Sequence, residues 1–320
     1  AIKRYKNTMS DDTILLCDIG GTHARFARAI DKGHYIDFKK YRLNDFQSFE
    51  EIVQKYHDDT GLQFSSARFS VARTPFNKRI EYQRHAGDPD YVIDFNSVEN
   101  QFGWADVPYL NDLEAAAHGL RVICDDQTQI VIPATGDKWN NHKILISVGT
   151  GVGHAGIFDD LIMRTCGGHF LPVTVTEDHR KIEKFIRKQK DQSQALIMED
   201  FVSGRGLRAI AEYVSAFPND DMTPDEFLDD LQNHPEAVRL FFEFLGLYAH
   251  NIVCVTGAYG GDYLTGGVID HLVEHGLTDW AAFETYFRPV MVDVVTKRLC
   301  GTSISVILEN ELPLLGLTVI

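Results

Sequence analysis

An apolar run that stops at an Asp-Ile-Gly-Gly-Thr motif and then resumes constrains the fold of this chain most. It predicts two strands joined by a turn in which Gly20 and Gly21 can adopt positive φ. The backbone N–H groups of such a turn can form a nest that binds an anion. Asp18, at the end of a buried strand, would hold Mg²⁺ beside that anion, and Thr22 would offer a hydroxyl. The alternative interpretation is a tight hairpin with an incidental aspartate.

Length and composition predict a two-domain globular protein. The chain has 320 residues, which is long for a single hydrophobic core. Its 44% hydrophobic and 24% charged residues are ordinary for a globular protein. No apolar run approaches the roughly 20 residues of a membrane span, and the N-terminal residues contain no signal-peptide hydrophobic region. We therefore expect a cytoplasmic protein with no membrane partner.

Charge and metal-ligand residues argue against several kinds of partner. Forty-six acidic residues against 31 basic residues give a net charge of -15, which would repel a nucleic acid. The five cysteines are scattered and form no C-x-x-C pair, which disfavours a disulfide framework and a structural zinc site. Among the 13 histidines we identify no H-x-x-x-H pair with a carboxylate partner. We therefore expect no nucleic-acid partner and no transition-metal site.

Two further apolar runs lead into glycine-containing turns. The second turn is formed by Gly149, Thr150, Gly151 and Gly153. The third turn is formed by Gly266 and Gly267. A single Gly-Thr-Gly is more often a simple turn than a binding site, but three such elements after strands predict two duplicated α/β halves that close on one nucleotide.

Polar residues follow another predicted strand directly. The apolar run at residues 107–110 leads into a helix that begins near Leu113, so Asn111 and Asp112 lie at the carboxyl end of that strand. In open α/β sheets this edge is where ligands bind. The alternative is that Asn111 or Asp112 only caps the helix, a role that both residue types perform well. Capping and ligand binding are compatible.

The order and spacing of the motifs identify a family resemblance. Besides the elements above, the set contains Gly167-Gly168-His169, the segment Glu199 to Gly206 and the segment Leu312 to Gly316. The whole set resembles the bacterial glucokinase family, within the actin, hexokinase and Hsp70 superfamily. The resemblance extends from about Ile14 to the C-terminus.

This resemblance implies a fold. It is the α/β, two-domain actin-like ATPase (ribonuclease H-like) fold, with a ligand cleft between the domains. The smaller domain would comprise residues 1–110 and 303–320, and the larger domain residues 111–302. The resemblance also implies a cytoplasmic homodimer.

The resemblance also implies ATP-dependent phosphorylation of glucose to glucose 6-phosphate, with Mg²⁺ as cofactor. Asp112 matches the family's catalytic base, which accepts the proton of the sugar hydroxyl, and Asn111 beside it would bind the sugar. His169 and Glu199 match residues that contact the sugar. The alternatives are that His169 only occupies a turn and that Glu199 is a solvated carboxylate.

The three glycine turns match the nucleotide-binding elements of the family. Asp18 would hold Mg²⁺, and the adenosine would lie near Gly266 and Gly267. The phosphates would be surrounded by Gly20, Gly21, Thr22, Gly149, Thr150, Gly151 and Gly153.

Three positions depart from the family pattern. Cys166 stands where the family has a glutamate directly before Gly-Gly-His, and a thiol cannot accept two sugar hydroxyls as a carboxylate does. Tyr82 and Gln83 stand where relatives carry Thr-Asn. Ser147 replaces a glycine at the start of the second turn. That serine is a conservative change that leaves Gly149 to Gly153 usable, so the nucleotide side is intact, whereas the sugar side is altered.

These departures leave alternatives to a glucose kinase. One is a kinase for a different sugar or sugar derivative. Another is a catalytically weak or non-catalytic sensor of sugar or nucleotide, although a pure binder has no need of the base Asp112. A filament-forming actin-like protein is also possible by fold, but it would leave Asn111, His169 and Glu199 unexplained.

Overall fold

The structure, a computed structural model, describes residues 13–72, 77–82, 91–105, 107–215 and 222–320. These residues divide into two compact units. The first unit extends to Ile123 and includes Glu311–Ile320, and the second unit is Cys124–Asn310. The chain therefore returns to the first unit for its last residues.

The strands of the described residues have the following bounds. They are β1 (Ile14–Ile19), β2 (His23–Asp31), β3 (His34–Arg42), β4 (Ser66–Val71), β5 (Arg79–Tyr82), β6 (Tyr91–Asp94), β7 (Tyr109–Asn111), β8 (Thr128–Ile132), β9 (Lys143–Val148), β10 (Val152–Phe158), β11 (Leu161–Met163), β12 (Asp262–Thr265) and β13 (Ile304–Ile307).

The α-helices alternate with these strands in the first half and dominate the second. They are α1 (Phe49–Thr60), α2 (Phe95–Phe102), α3 (Asp112–Gly119), α4 (Glu177–Gln189), α5 (Gly204–Ser215), α6 (Pro224–Asp230), α7 (Pro235–Thr256), α8 (Gly267–Glu274), α9 (Trp280–Phe287), α10 (Asp293–Cys300) and α11 (Leu312–Leu317). Two short 3-10 helices, Gly167–His169 and Met198–Asp200, carry candidate site residues.

The first unit is built on a five-stranded sheet in the order β3-β2-β1-β4-β7. Its strand β1 is antiparallel to β2 and parallel to β4. Alternate residues of a strand face opposite sides of the sheet. Leu15 and Cys17 pack in a core that includes Phe49, whereas Leu16 packs with Leu314 on the other face. Both faces of β1 are therefore covered, which explains its uninterrupted apolar sequence.

Both domain boundaries lie later in the chain than the sequence predicted. Helix α3 was expected in the larger domain, but it belongs to the first unit because Ala115 packs with Leu16 and Leu314 against the first sheet. Residues 303–310 were expected in the smaller domain, but they belong to the second unit because β13 pairs with β12 and β8.

The second unit is built on a six-stranded sheet in the order β11-β10-β9-β12-β13-β8. Strands β9 and β10 form an antiparallel hairpin, and β12 is parallel to both β9 and β13. The first sheet has the same succession: an antiparallel hairpin, a third antiparallel strand on one side and two parallel strands on the other. The prediction of two duplicated α/β halves is confirmed, and β8 is an additional edge strand of the second half.

Helix α7 forms the centre of the second core. Its 22 residues and mean hydropathy of 1.4 make it, within the described residues, the one helix that is long and apolar enough to cross a membrane. The expectation that no apolar run approaches this length was wrong. Burial accounts for the composition, because 72% of the apolar segment lies inside the protein. Its Glu243 is buried as well, 2.7 Å from the Nε2 atom of His179 on α4.

Candidate active site

The first glycine turn joins β1 to β2. The loop between the paired residues Ile19 and Ala24 has four residues, and the N–H of Gly20 donates to the carbonyl oxygen of His23 at 2.9 Å. Neither Gly20 nor Gly21 has positive φ, contrary to expectation, because a four-residue loop does not need the left-handed conformations of a two-residue turn. A Cβ on Gly21 would meet no atom within 4 Å. The turn therefore leaves open space beside its backbone for an anion.

Asp18 lies at the carboxyl end of β1 and is held by two side chains. The hydroxyl of Ser70 on β4 donates to Oδ1 at 2.7 Å, and the guanidinium of Arg25 on β2 donates to Oδ2 at 3.1 Å. Burial raises the pKa of Asp18, and the contacts with Ser70 and Arg25 oppose that shift. Arg25 also pairs with Glu311 at 3.0 Å. Sequence reasoning missed Ser70, although a hydroxyl within an apolar strand was a usable signal.

Asn111 and Asp112 lie at the same edge of the sheet as Asp18. Strand β4 is parallel to both β1 and β7, and Val71 is paired with Ile19 on one side and with Asn111 on the other. The carboxyl ends of the three strands are therefore level. This is the edge at which open α/β sheets bind their ligands.

Asp112 is the first residue of α3, directly after the N-cap Asn111, and its ionisation is unusual. Its Oδ1 accepts the N–H of Leu113 at 2.8 Å, and the side chain of Asn111 accepts the same N–H at 3.1 Å. The capping interpretation is thus confirmed for Asn111, which is the N-cap of α3, whereas Asp112 is the first residue of the helix. Burial raises the pKa of Asp112 to about 6, and the charge of Asp18 adds to this shift. The hydrogen bonds from Leu113 and Asn111 oppose it. A carboxylate that titrates near neutrality is suited to accept a proton.

The oxygen ligands of the first unit fit Mg²⁺. Oxygen is the ligand that this ion prefers, and proteins hold it through one or two carboxylates together with substrate phosphates. Asp18 and Asp112 supply two carboxylates whose mutual repulsion a cation would relieve. Thr22, exposed in the turn, adds a hydroxyl.

The backbone at the second glycine turn is hydrogen-bonded to the carboxylate of Glu199. The N–H of Gly149 donates to the carbonyl oxygen of Gly151 at 2.8 Å. Glu199 accepts the N–H of Val152 at 3.2 Å through Oε2, and a Cβ on Gly151 would lie only 2.4 Å from that oxygen. A side chain at position 151 would therefore displace the carboxylate of Glu199 from its present place.

Arg205 is a partner of Glu199 that sequence reasoning missed. Its guanidinium donates to Oε1 of Glu199 at 2.7 Å and lies 3.4 Å from Oδ1 of Asp200. Lys190 pairs with the other oxygen of Asp200. Glu199 is thus fixed between a backbone N–H and a guanidinium, and it is not a freely solvated side chain.

The Gly-Gly-His segment lies directly on β10. A Cβ on Gly167 would stand 1.9 Å from the ring of His154, so only glycine fits there. The Nδ1 atom of His154 lies 3.0 Å from the hydroxyl of Tyr248, and burial lowers the pKa of His154 to about 4. This histidine is neutral and structural. Cys166 and His169, on either side of the glycines, are exposed.

A backbone contact places the His169 segment beside the Glu199 segment. The N–H of Met198 donates to the carbonyl oxygen of Phe170 at 2.7 Å. Phe170, directly after His169, and Met198, directly before Glu199, are therefore hydrogen-bonded neighbours.

The third glycine turn adjoins the second. Gly266 has φ of +103°, and a Cβ there would lie 2.5 Å from the carbonyl oxygen of Val148, so the turn needs glycine on both counts. A Cβ on Gly267 would meet no atom within 4 Å. The start of α5 joins the same region, because the N–H of Gly204 donates to the carbonyl oxygen of Gly149 at 2.8 Å.

The predicted site residues form one group in each unit. The first unit contains Asp18, Gly20, Gly21, Thr22, Asn111 and Asp112. The second unit contains Gly149, Thr150, Gly151, Gly153, His169, Glu199, Gly266 and Gly267. Of the altered Tyr82-Gln83 pair, Tyr82 ends β5 and Gln83 lies outside the described residues.

Comparison with known sequences identifies relatives along nearly the whole chain. The profile of the family described as Glucokinase matches residues 15–319. A protein of Paraburkholderia xenovorans (strain LB400) named "Bifunctional protein glk" is 27% identical over 330 residues, which cover 95% of this chain and 50% of that protein. The chain thus spans half the length of that relative. A protein of Xanthomonas oryzae pv. oryzae (strain MAFF 311018) named "Glucokinase" is 26% identical over 290 residues, which cover 83% of each.

Comparison with solved structures gives the fold. The crystal structure of glucokinase from Balamuthia mandrillaris in complex with glucose has a TM-score of 0.77 and 21% sequence identity, and the match covers 97% of this chain and 94% of that chain. The predicted α/β, two-domain actin-like ATPase fold is confirmed. Because the family profile covers residues 15–319, the chain belongs to the glucokinase family.

Proposed function

We propose that this chain transfers the γ-phosphoryl group of ATP to glucose and releases ADP and glucose 6-phosphate. The observation that carries the proposal is the carboxylate of Asp112, which lies at the carboxyl edge of the first sheet with a pKa of about 6. Membership of the glucokinase family supports the same reaction. So do the name of the Xanthomonas relative and the glucose complex of the Balamuthia protein.

Asp112 is the proposed general base. Its carboxylate accepts the proton of the sugar 6-hydroxyl while that oxygen forms a bond to the γ-phosphorus of ATP. The bond between the γ-phosphorus and the bridging oxygen breaks, and its electron pair leaves with ADP. A pKa of about 6 keeps most of the side chain ionised at pH 7 and still makes it a better base than an ordinary aspartate. Asn111 holds Asp112 through a hydrogen bond and would bind the sugar beside it.

The glycine turns are the proposed nucleotide ligands. Open space at Gly21, Gly149 and Gly267 allows close approach to the backbone N–H groups, which suits phosphate and ribose oxygens. Mg²⁺ held through Asp18 would neutralise charge on the phosphates during transfer. Thr22 and Thr150, exposed in the first and second turns, would add hydroxyl contacts.

His169 and Glu199 are the proposed sugar ligands of the second unit. The two oxygens of Glu199 each accept one bond, from Val152 and Arg205, and each keeps a lone pair for a sugar hydroxyl. The imidazole of His169 is exposed and accessible to the same hydroxyls. A site built from such groups rejects analogues that leave one of them unpaired.

A second candidate function is the same transfer to a different sugar or sugar derivative. The exposed thiol of Cys166 replaces a carboxylate of the family pattern. The guanidinium of Arg205 lies on Glu199 and is 55% exposed. One acidic group is therefore absent from the sugar side and one cation is present, which favours an acceptor that carries an anionic or other polar substituent.

We also propose that the protein is a cytoplasmic homodimer, as the family resemblance implies. A groove of about 360 Å³ in the second unit is lined by apolar side chains, including Phe170, Leu171 and Val255. Leu171 and Val255 are 70% and 78% exposed, an apolar surface of the kind that partners cover. Light scattering should give twice the chain mass of 36.1 kDa. A mass of one chain would contradict the proposal.

Coupled ADP release tests the reaction. The purified protein, ATP and Mg²⁺ are assayed against glucose, other hexoses, amino sugars and sugar acids. We expect glucose-dependent turnover that falls by about 10²- to 10⁴-fold in Asp112→Asn, the range for loss of a general base. Asp126→Asn, an exposed carboxylate of the second unit, is the matched control and should retain full activity.

The other outcomes separate the alternatives. Turnover with another acceptor and none with glucose would establish the second candidate function. Nucleotide binding without turnover on any sugar would overturn the kinase proposal and identify a sensor.

A further inference from the structure

A second group of metal-ligand residues, on α8 and α6 of the second unit, is separate from the residues assigned to the proposed active site. His271 on α8, His275 at its C-terminal end and Asp229 on α6 each offer one ligand atom, and these atoms all lie within 4.8 Å of one another. The two imidazole rings are stacked, with centroids 4.1 Å apart. The Nε2 atom of His271 lies 3.7 Å from Oδ1 of Asp229.

This cluster corrects the expectation from the sequence. His271 and His275 are an H-x-x-x-H pair with a carboxylate partner, and the sequence analysis identified none. The carboxylate comes from another helix, α6, so its proximity follows only from the fold.

The hydrogen bonding of His275 leaves its other ring nitrogen available as a ligand. Its Nδ1 lies 2.9 Å from the carbonyl oxygen of His271. A carbonyl oxygen only accepts, so Nδ1 carries the proton and the lone pair of the neutral ring is on Nε2. Metal-bound histidines are commonly oriented by such a bond from the non-ligating nitrogen to a backbone carbonyl.

The Nε2 atom of His271 has no hydrogen-bond partner among the described residues. It is also buried. Asp229 is too distant for one, at 3.7 Å. A buried polar nitrogen without a partner is costly, and a bound cation would satisfy it.

We propose that His271, His275 and Asp229 bind one divalent transition-metal ion, with Zn²⁺ as the reference ligand. Two imidazole nitrogens and one carboxylate oxygen suit zinc and its first-row neighbours, whereas Mg²⁺ and Ca²⁺ prefer oxygen alone. Metal–ligand bonds of about 2.0–2.2 Å in a tetrahedron place ligand atoms roughly 3.4 Å apart. The present spread closes by side-chain rotation, because Asp229 is 67% exposed and His275 is exposed. The fourth position remains for water.

The position of the cluster indicates what the ion does. Helix α8 begins at Gly267, in the third glycine turn, and the ion would join its other end to α6. Binding therefore restrains the helix that carries this turn. The site differs in chemistry from the oxygen ligands of the first unit, so the two ions are distinguishable by competition.

The test uses the complete chain without a histidine tag, freed of metal by a chelator. Equilibrium dialysis against Zn²⁺ in excess Mg²⁺ should give one tightly bound zinc per chain, and Co²⁺ should show visible absorption bands of a nitrogen- and oxygen-coordinated site. His271→Gln and His275→Gln should each weaken Zn²⁺ binding at least tenfold. His34→Gln is the matched control, since His34 is an exposed histidine 2.5 Å from Asp31 in the first unit.

Two results would overturn the proposal. One is the absence of stoichiometric Zn²⁺ binding to the parent chain, and the other is binding that both histidine variants retain. Circular dichroism of the variants guards against misfolding. His275→Gln alters only an exposed residue at a helix end, so it keeps the test decisive if His271→Gln fails to fold.

Discussion

At the scale of single residues, burial decides when the carboxylates of the first unit carry their charge. Asp112 accepts the N–H of Leu113 at the start of α3, and this contact orients the carboxylate at the sheet edge. Burial and the nearby charge of Asp18 raise its pKa to about 6. The carboxylate that the start of α3 orients is thus also the group whose ionisation should control the proposed reaction.

The pH dependence of activity should follow Asp112. We expect kcat/KM for the sugar to fall as the pH decreases through about 6, because the protonated carboxyl cannot accept the hydroxyl proton. At one pH unit below the pKa, the loss should be about tenfold. A pH profile of kcat/KM between pH 4.5 and 8 measures it. An acid limb near pH 4, the range of an unperturbed aspartate, would contradict the assignment.

The stability of the protein should respond to Asp112 in the opposite sense. Its folded-state pKa of about 6 exceeds the unfolded value of about 3.9, so the native state holds the proton more tightly and stability falls as the pH rises from about 4 to about 6. Two pKa units correspond to about 3 kcal/mol. Asp112→Asn keeps an oxygen that can accept the N–H of Leu113 and removes the charge. At pH 7 it should lose most of its activity, by the roughly 10²- to 10⁴-fold given above for loss of a general base, yet be more stable by roughly 1–3 kcal/mol. Urea unfolding measures this, and a destabilised variant would contradict it.

At the scale of elements, β12 carries a carboxyl group into the core of the second unit. Asp262 is fully buried between β9 and β13, and neither carboxyl oxygen has a hydrogen-bond partner among the described residues. Burial raises its pKa to about 8, and the neighbouring N–H of Tyr263 offsets this only in part. A buried carboxyl group at position 262 departs from the apolar pattern of the core that surrounds β12.

Asp262 should make stability strongly dependent on pH. Since its folded-state pKa of about 8 lies above the unfolded value of about 3.9, stability should decrease as the pH rises from about 4 to about 8, by several kcal/mol in total. Asp262→Val removes the ionisable group and suits a strand. We expect the variant to be more stable by a few kcal/mol at pH 8 and much less pH-dependent. Denaturant unfolding at pH 5.5, 7 and 8.5 checks both, and parallel pH curves for variant and parent would contradict the assignment.

Gly151 and Gly149 of the second turn should affect different substrates, the first the sugar and the second ATP. Gly151→Ala places a Cβ 2.4 Å from the carboxylate of Glu199, whereas Gly149→Ala meets nothing within 4 Å. The first change should displace Glu199 and raise KM for the sugar about tenfold or more. The second should leave that KM unchanged and raise KM for ATP, because it fills open space at the phosphate turn. Steady-state kinetics of both variants measure the split, and equal effects on both substrates would contradict it.

Local patterns predicted the elements, but not the contacts between them. The spacing of Phe49, Ile52, Val53 and Tyr56 is typical of an amphipathic helix, and all four side chains are buried in α1. Strands β5 and β6 were not predicted, because four-residue strands give little periodicity. The position of Asp18 near the end of a strand, in contrast, was predicted from the apolar run that precedes it.

The partners of the site residues depend on tertiary packing. Ser70 reaches Asp18 because β4 lies in register beside β1. Arg205 reaches Glu199 because α5 begins at the second glycine turn. The sequence alone gives neither the register nor the place of that helix, so these two contacts could not be predicted.

At the scale of the whole molecule, the last helix completes the first unit. Helix α11 buries Leu312, Leu314, Leu315 and Leu317 almost entirely. Glu311, just before it, pairs with Arg25, which in turn holds Asp18. The final ten residues therefore link the integrity of the first core to the geometry of its glycine turn.

Deletion of residues 311–320 should unfold the first unit. Each buried leucine contributes about 1.5–3 kcal/mol, so four of them together rival the total stability of about 5–15 kcal/mol of an ordinary domain. Hydrogen exchange should show lost protection in β1 and β4, while β9 and β12 of the second unit keep theirs, because their core does not include α11. Leu308→Ala, which changes an exposed leucine just before the deleted segment, is the control and should change neither. Retained protection of β1 in the truncated chain would show that α11 only covers the first core and does not hold it together.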